Sequence, residues 1–300
     1  TPALKEPRFG MPAAEAVGAY VANELGAKDI AALREMDAEA LVWESNKAGY
    51  IAWGTVDGVI LPDELVNVFD RGEQAPVPIL AGFNSGEIRS LRALLPKPPK
   101  NAEAYETEIR VRYGELADAF LEQYPPKNID ESMLATTRDA MYGWTSERLA
   151  KNQTEIGADG YLYIFDHGYP AADKAGLHAF HASEIPYVFG TIDDTGPTWP
   201  EIPNTPEEKR LSAAMVAYWS SFARDGAPSA PGEDAWRPYA DDEAYMYFAD
   251  APVGGAKQLL PGMYELHEEV MRRRRAADIG WNWNVGVASP PLPPQTAGRQ

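Results

Sequence analysis

Apolar residues recur along this chain with two different periods. Between Ala102 and Tyr124, Tyr105, Ile109, Tyr113, Leu116 and Phe120 return every three or four positions, one face of a helix that Pro125-Pro126 ends. The same spacing predicts a helix over Ser132 to Lys151, with Leu134, Met141 and Trp144 inward. Thr205-Pro206-Glu207-Glu208 has the form of a capping box with proline at the first helical position. The stripe Leu211, Met215, Trp219, Phe222 follows it, and Gly226 is the expected stop. Shorter helices are expected over Ala13 to Leu25 before Gly26, over Asp29 to Val42, and over Tyr264 to Met271. Against these stand short continuous apolar runs bounded by turn formers, the pattern of buried strands: Pro76 to Phe83, Tyr161 to Asp166 and Tyr245 to Phe248. Val56 to Pro62 reads as a turn followed by a short extended segment, and His167 to Asn204 as a long irregular stretch. Buried strands separated by helical insertions give an α/β chain, with helices packed on a sheet.

Composition narrows this picture. Of 300 residues 45% are hydrophobic and 24% charged, a globular balance, and the 26 prolines and 25 glycines imply many short elements joined by loops. The formal charge of -18 repels phosphate backbones, so nucleic acid is not an expected partner. The basic cluster Arg272 to Arg275 follows a helical stretch and suits a helix C-terminus; a binding patch is the other reading. With no cysteine there is no disulfide, thiolate metal site or cysteine nucleophile. No run of apolar residues is long enough to span a membrane. Ser289 to Gln300 holds four prolines and reads as a loose tail behind a body of residues 1–288. The chain opens on Thr1-Pro2 without an initiator methionine, from which an upstream segment is expected. The compartment stays open, with a periplasmic or secreted location favoured over the cytoplasm.

Chemistry could be carried by the four histidines, His167, His178, His181 and His267. His178 and His181 lie three apart, but Gly176 and Pro186 flank them, which argues against a helical metal pair. The stretch Ala179-Phe180-His181-Ala182-Ser183-Glu184-Ile185-Pro186-Tyr187-Val188-Phe189-Gly190 resembles the histidine loop of the type-B carboxylesterases, the cholinesterase and para-nitrobenzyl esterase family. Ala81-Gly82-Phe83-Asn84-Ser85-Gly86-Glu87 is similar to that family's Gly-x-Asn-x-x-Glu segment, although Gly86 and Ile88 stand where the family usually has Asp and Gly. Tyr218 to Gly226 is similar to its penultimate helix, and Trp236-Arg237-Pro238-Tyr239 to the segment that follows.

The resemblance covers about residues 1 to 275 and implies an α/β-hydrolase fold, of which this chain would be the C-terminal half with part of a mostly parallel sheet. It implies His181 as general base, Glu87 as the acid that orients it, and Glu184 as a buried glutamate beside them. It points weakly to Ser90 and Leu91 as substrate-pocket residues; Tyr187 and Phe189 read as core. Ester cleavage by this route needs a serine hydroxyl activated by an imidazole, with a carboxylate holding the imidazole's tautomer, in the chain order serine, acid, histidine. Glu87 before His181 fits that order, but no Gly-x-Ser-x-Gly elbow occurs in the 300 residues. The resemblance therefore implies a carboxylic ester hydrolase of bacterial type whose nucleophile and oxyanion loop lie upstream. This chain alone would be inactive, its partner being the N-terminal half of the same enzyme and its substrate a small ester. It implies no metal and no cofactor, and leaves room for a homodimer through Ser212 to Phe222 and Tyr264 to Arg274. Three rivals remain: a non-catalytic cholinesterase-like adhesion module, a standalone binding domain, and a metal-dependent hydrolase using His178, His181 and Glu184.

Overall fold

The chain divides into two units, residues 1–74 and 75–300, in a computed structural model that describes residues 2–8 and 10–295. The first unit is helical: α1 (Ala14–Glu24), α2 (Ile30–Glu35), α3 (Ala38–Lys47) and α4 (Leu65–Asp70). The helix expected over Asp29 to Val42 is two helices. Met36 turns extended, and Asp29 and Asp37 each cap a fresh start by accepting from the amides of Ala32 (2.8 Å) and Ala40 (3.0 Å). After Asp57 the expected extended segment is a closed turn, because its Oδ1 accepts from the amides of Val59, Ile60 and Leu61.

The second unit carries a sheet ordered β1-β2-β3-β4: β1 (Ile79–Asn84), β2 (Gly160–Phe165) and β3 (Ala244–Phe248) run parallel, and β4 (Pro252–Lys257) returns antiparallel. The sequence hides β4, since Pro252-Val-Gly-Gly-Ala-Lys lacks both an apolar run and a clean alternation. The helices are α5 (Ala102–Tyr113), α6 (Ala117–Gln123), α7 (Ile129–Arg138), α8 (Trp144–Glu155), α9 (Pro170–Lys174), α10 (Ile185–Phe189), α11 (Pro206–Asp225) and α12 (Met263–Ala276). β2 alternates between two cores. Tyr161, Tyr163 and Phe165 face Met215 and Tyr218 of α11, whereas Leu162 and Ile164 face Ala150 of α8. Helices on both faces explain why these strands read as continuous apolar runs.

Departures from the expected elements have local causes. The helix from Ala102 breaks at Gly114, whose φ of +55° no helix accommodates, and restarts as α6. The helix over Ser132 to Lys151 is interrupted by a π-helical turn, Asp139–Gly143. The irregular stretch contains α9 and α10. Thr205 caps α11, but the Glu208 carboxylate does not complete the box: it accepts from Tyr187 Oη (2.7 Å) and pairs with His167 Nε2 (2.9 Å). Three arginines of the basic cluster are engaged. Arg273 binds Glu269 and Glu115, Arg272 binds Glu269, and Arg274 is buried against Ser289. Ser289 and Leu292 of the expected loose tail are tied down: the Ser289 carbonyl accepts from Arg112, and the Leu292 amide donates to the Arg112 carbonyl at 2.7 Å. Residues 296–300 of that tail lie outside the described residues.

Candidate active site

β1 ends at Asn84, whose side chain is buried, and the turn beyond it crosses to the loop that follows α9. Gly86 makes the crossing possible. Its amide donates to the Ala179 carbonyl at 2.8 Å, and a Cβ there would fall 2.7 Å from that oxygen and 2.8 Å from the Leu177 carbonyl. The turn returns Glu87 to the strand end, where the Asn84 amide donates to Glu87 Oε1 at 3.0 Å. The Asn84 side chain reaches the other way, its Nδ2 donating to the Phe180 carbonyl (2.8 Å) and to Glu184 Oε2 (2.5 Å). One asparagine thus joins both segments.

Across this junction His181 Nδ1 meets Glu87 Oε2 at 2.5 Å. The Glu87 side chain is 7% exposed and the His181 side chain 44% exposed. A buried carboxylate on Nδ1 fixes the imidazole as the Nδ1–H tautomer, which leaves the Nε2 lone pair as the basic position of the ring. Ala182, next to His181, holds a φ of +69°, costly for a residue with a Cβ and kept only because its surroundings enforce it. The Tyr142 ring, from the π-helical turn, lies 5.7 Å from the imidazole; burial and the Glu87 charge raise its pKa. Burial also raises the Glu184 pKa, against the Asn84 hydrogen bond that lowers it.

The carboxylesterase family's model matches residues 12–261. The chain belongs to the carboxylesterase family. Among relatives of this carboxylesterase-family chain, carboxylesterase 4A of Bos taurus is 28% identical over 209 residues, covering 64% of this chain and 37% of that protein. Neuroligin-3 of Mus musculus is 25% identical over 309 residues, covering 85% of this chain and 37% of that protein. The chain thus spans less than half the length of these curated relatives. A Geobacillus stearothermophilus carboxylesterase, EST55 at pH 6.2, superposes with a TM-score of 0.58 at 24% identity, over 80% of this chain and 52% of that one. A PNB esterase structure gives 0.59 at 21% identity, over 79% and 50%. These likenesses show a shared fold, and the mostly parallel sheet with packed helices is the α/β-hydrolase architecture.

Within this family member the other sequence-predicted residues are placed differently from the central pair. Glu184 is brought in through Asn84 rather than through His181. Ser90 is exposed and Leu91 half-buried just after Glu87. Tyr187 is core, but Phe189 is 72% exposed, because the short α10 turns only one side inward. His178 is spent on Asp173 and Asp166, His167 on Glu208, and His267 on Tyr124. Among the described residues no three His, Cys, Asp or Glu side chains converge as a metal site, so His178, His181 and Glu184 do not form the rival metal centre. No helix among them is long and apolar enough to cross a membrane.

The sequence does not single out Tyr142 or Arg138, and it shows Asn84 only as the asparagine of the Gly-x-Asn-x-x-Glu segment. Arg138 donates to the Ser85 carbonyl at 3.1 Å and is itself held by Asp139 at 2.6 Å, which steadies the turn carrying Glu87. An asparagine three residues before a glutamate at a strand exit was the one legible sign of such a clamp.

Proposed function

We propose that this chain supplies the base and its orienting acid to a serine carboxylic ester hydrolase. The observation that carries the proposal is the contact of His181 Nδ1 with the buried Glu87 carboxylate, on an imidazole that is 44% exposed, in a chain of the carboxylesterase family. In the reaction, His181 Nε2 takes the proton of a serine hydroxyl as that oxygen attacks the ester carbonyl. It then returns the proton to the leaving alcohol, and an acyl-enzyme results. Water, deprotonated by the same nitrogen, adds to the acyl carbonyl and releases the acid. Glu87 keeps the tautomer and stabilises the imidazolium without taking the proton itself.

The serine and the oxyanion hole are assigned to a polypeptide segment outside these 300 residues, because no Gly-x-Ser-x-Gly occurs within them. Among the described residues β1 is paired on one side only, by β2, and Val77 just before it is 54% exposed. An unpaired parallel edge is where a further strand of such a sheet would add. The substrate proposed is a small-molecule ester.

Natively purified material treated with a fluorophosphonate probe and resolved by intact mass tests this. A label on a serine of a copurifying or continuous upstream polypeptide, abolished by His181→Ala here, is expected. Absence of label from well-folded material that includes the upstream segment would favour the second reading, a non-catalytic module, consistent with the long match to neuroligin-3.

A further inference from the structure

At the end of the sheet away from His181 lies a cavity of about 420 Å³, within the size range of small-molecule sites. It is walled by α6, α8, α12 and the segments bounding β3 and β4, and three of its lining residues are carboxylates: Glu147, Glu243 and Glu265. Glu147 is 4% exposed. Its Oε1 accepts from Tyr239 Oη at 3.1 Å, but its Oε2 is buried with no hydrogen-bond partner. An unmatched carboxylate oxygen in such a place is costly unless something answers it.

No neighbouring cation hydrogen-bonds to Oε2. Lys151, one turn along α8, holds its ammonium 4.8 Å from the centre of the Tyr264 ring, and Arg148 binds Glu268. Tyr264, Leu259 and Leu116 give the cavity an apolar and aromatic wall. The carboxylates do not converge as ligands of a metal ion among the described residues. Negative charge beside apolar wall matches a ligand carrying one positive charge on a hydrocarbon body.

We propose that this cavity binds a small organic ammonium ion, its charge on Glu147 and its apolar body against Leu259 and Tyr264, separately from the His181–Glu87 site. The inference is independent of the ester chemistry. Burial, and then the charges of Glu265 and Glu243, raise the Glu147 pKa to about 7, while Tyr239 and Lys151 lower it. A bound cation favours the ionised form, so binding strengthens from pH 6 to pH 8 and releases a proton from the fraction of Glu147 still protonated.

The test is titration calorimetry of the full chain with n-hexylammonium, and with 1-hexanol as the neutral isostere, in two buffers of different ionisation enthalpy. Saturable binding of the amine is expected, with 1-hexanol at least about tenfold weaker. A buffer-dependent heat reports the released proton. Glu147→Gln should weaken the amine at least about tenfold while leaving a folded chain, and Glu243→Gln should weaken it less. Amine and alcohol binding alike, amine binding indifferent to Glu147→Gln, or no amine binding at millimolar concentration would each overturn the proposal.

Discussion

Asn84 is committed to three acceptors at once: its amide to Glu87 Oε1, and its Nδ2 to the Phe180 carbonyl and to Glu184. Truncation to alanine leaves one buried and one part-buried acceptor unanswered, so Asn84→Ala should cost roughly 1–3 kcal/mol in chemical denaturation. Amide exchange should quicken in the His181 loop before it does in α11. The His181–Glu87 pair acts at the same scale. In material containing the upstream segment, Glu87→Gln should lower kcat by roughly a thousandfold or more while KM changes little, because the lost interaction matters most when the imidazole is charged. Equal loss in KM would mean that Glu87 shapes the pocket instead. Glu147 gives a prediction of opposite sign. Its folded pKa is raised from 4.5 to about 7, so its contribution is fully present below pH 4.5 and is lost as pH rises through 7. Glu147→Gln should therefore stabilise the empty protein at pH 8 by roughly 2 kcal/mol and do little at pH 4, as read from urea midpoints at the two pH values.

Elements matter here through their interruptions. The π-helical turn Asp139–Gly143 places two side chains toward the site that a regular helix would phase elsewhere. Tyr142 faces His181, and Asp139 faces Arg138, which holds the Ser85 carbonyl. At the junction of β1 with the histidine loop, Gly86 lies too close to two carbonyl oxygens for any side chain. Gly86→Ala should leave the helices intact by circular dichroism. It should push the loop away, costing roughly 1–3 kcal/mol and abolishing the downfield proton resonance expected of the His181–Glu87 hydrogen bond. Persistence of that resonance would show that the loop yields without moving the imidazole.

Across the whole second unit, a line of buried polar groups links α12 to the site: His267 Nε2 to Tyr124 Oη at 2.8 Å, Tyr124 to Asp139 at 3.0 Å, Asp139 to Arg138, and Arg138 to Ser85. Burial lowers the His267 pKa from 6.5 to about 4, holding the ring neutral at physiological pH. A depressed folded pKa contributes stability that is present above 6.5 and lost as pH falls through 4. The unit should lose up to roughly 3 kcal/mol over that window, seen as falling thermal midpoints. His267→Gln, which keeps a donor for Tyr124 but does not titrate, should flatten that slope.

The patterns that survive into the fold are those in which neighbours along the chain supply the cause. The aromatic run Tyr161 to Phe165, the stripe from Leu211 to Phe222 and the stop at Gly226 each follow from period, capping and turn chemistry. Glu87 and His181 stand out through their family-like motifs, not through period or composition. Their contact exists because β1 and β2 pair in register from Ile79 with Gly160 to Asn84 with Phe165, bringing two loops to one sheet end. The sequence could not show that Asn84 clamps both loops, that Glu208 leaves its cap for His167, that Phe189 faces out, or that Glu147 lacks a partner. Those outcomes depend on which distant groups compete for the same hydrogen bonds and the same buried space, and only the tertiary structure decides such competitions.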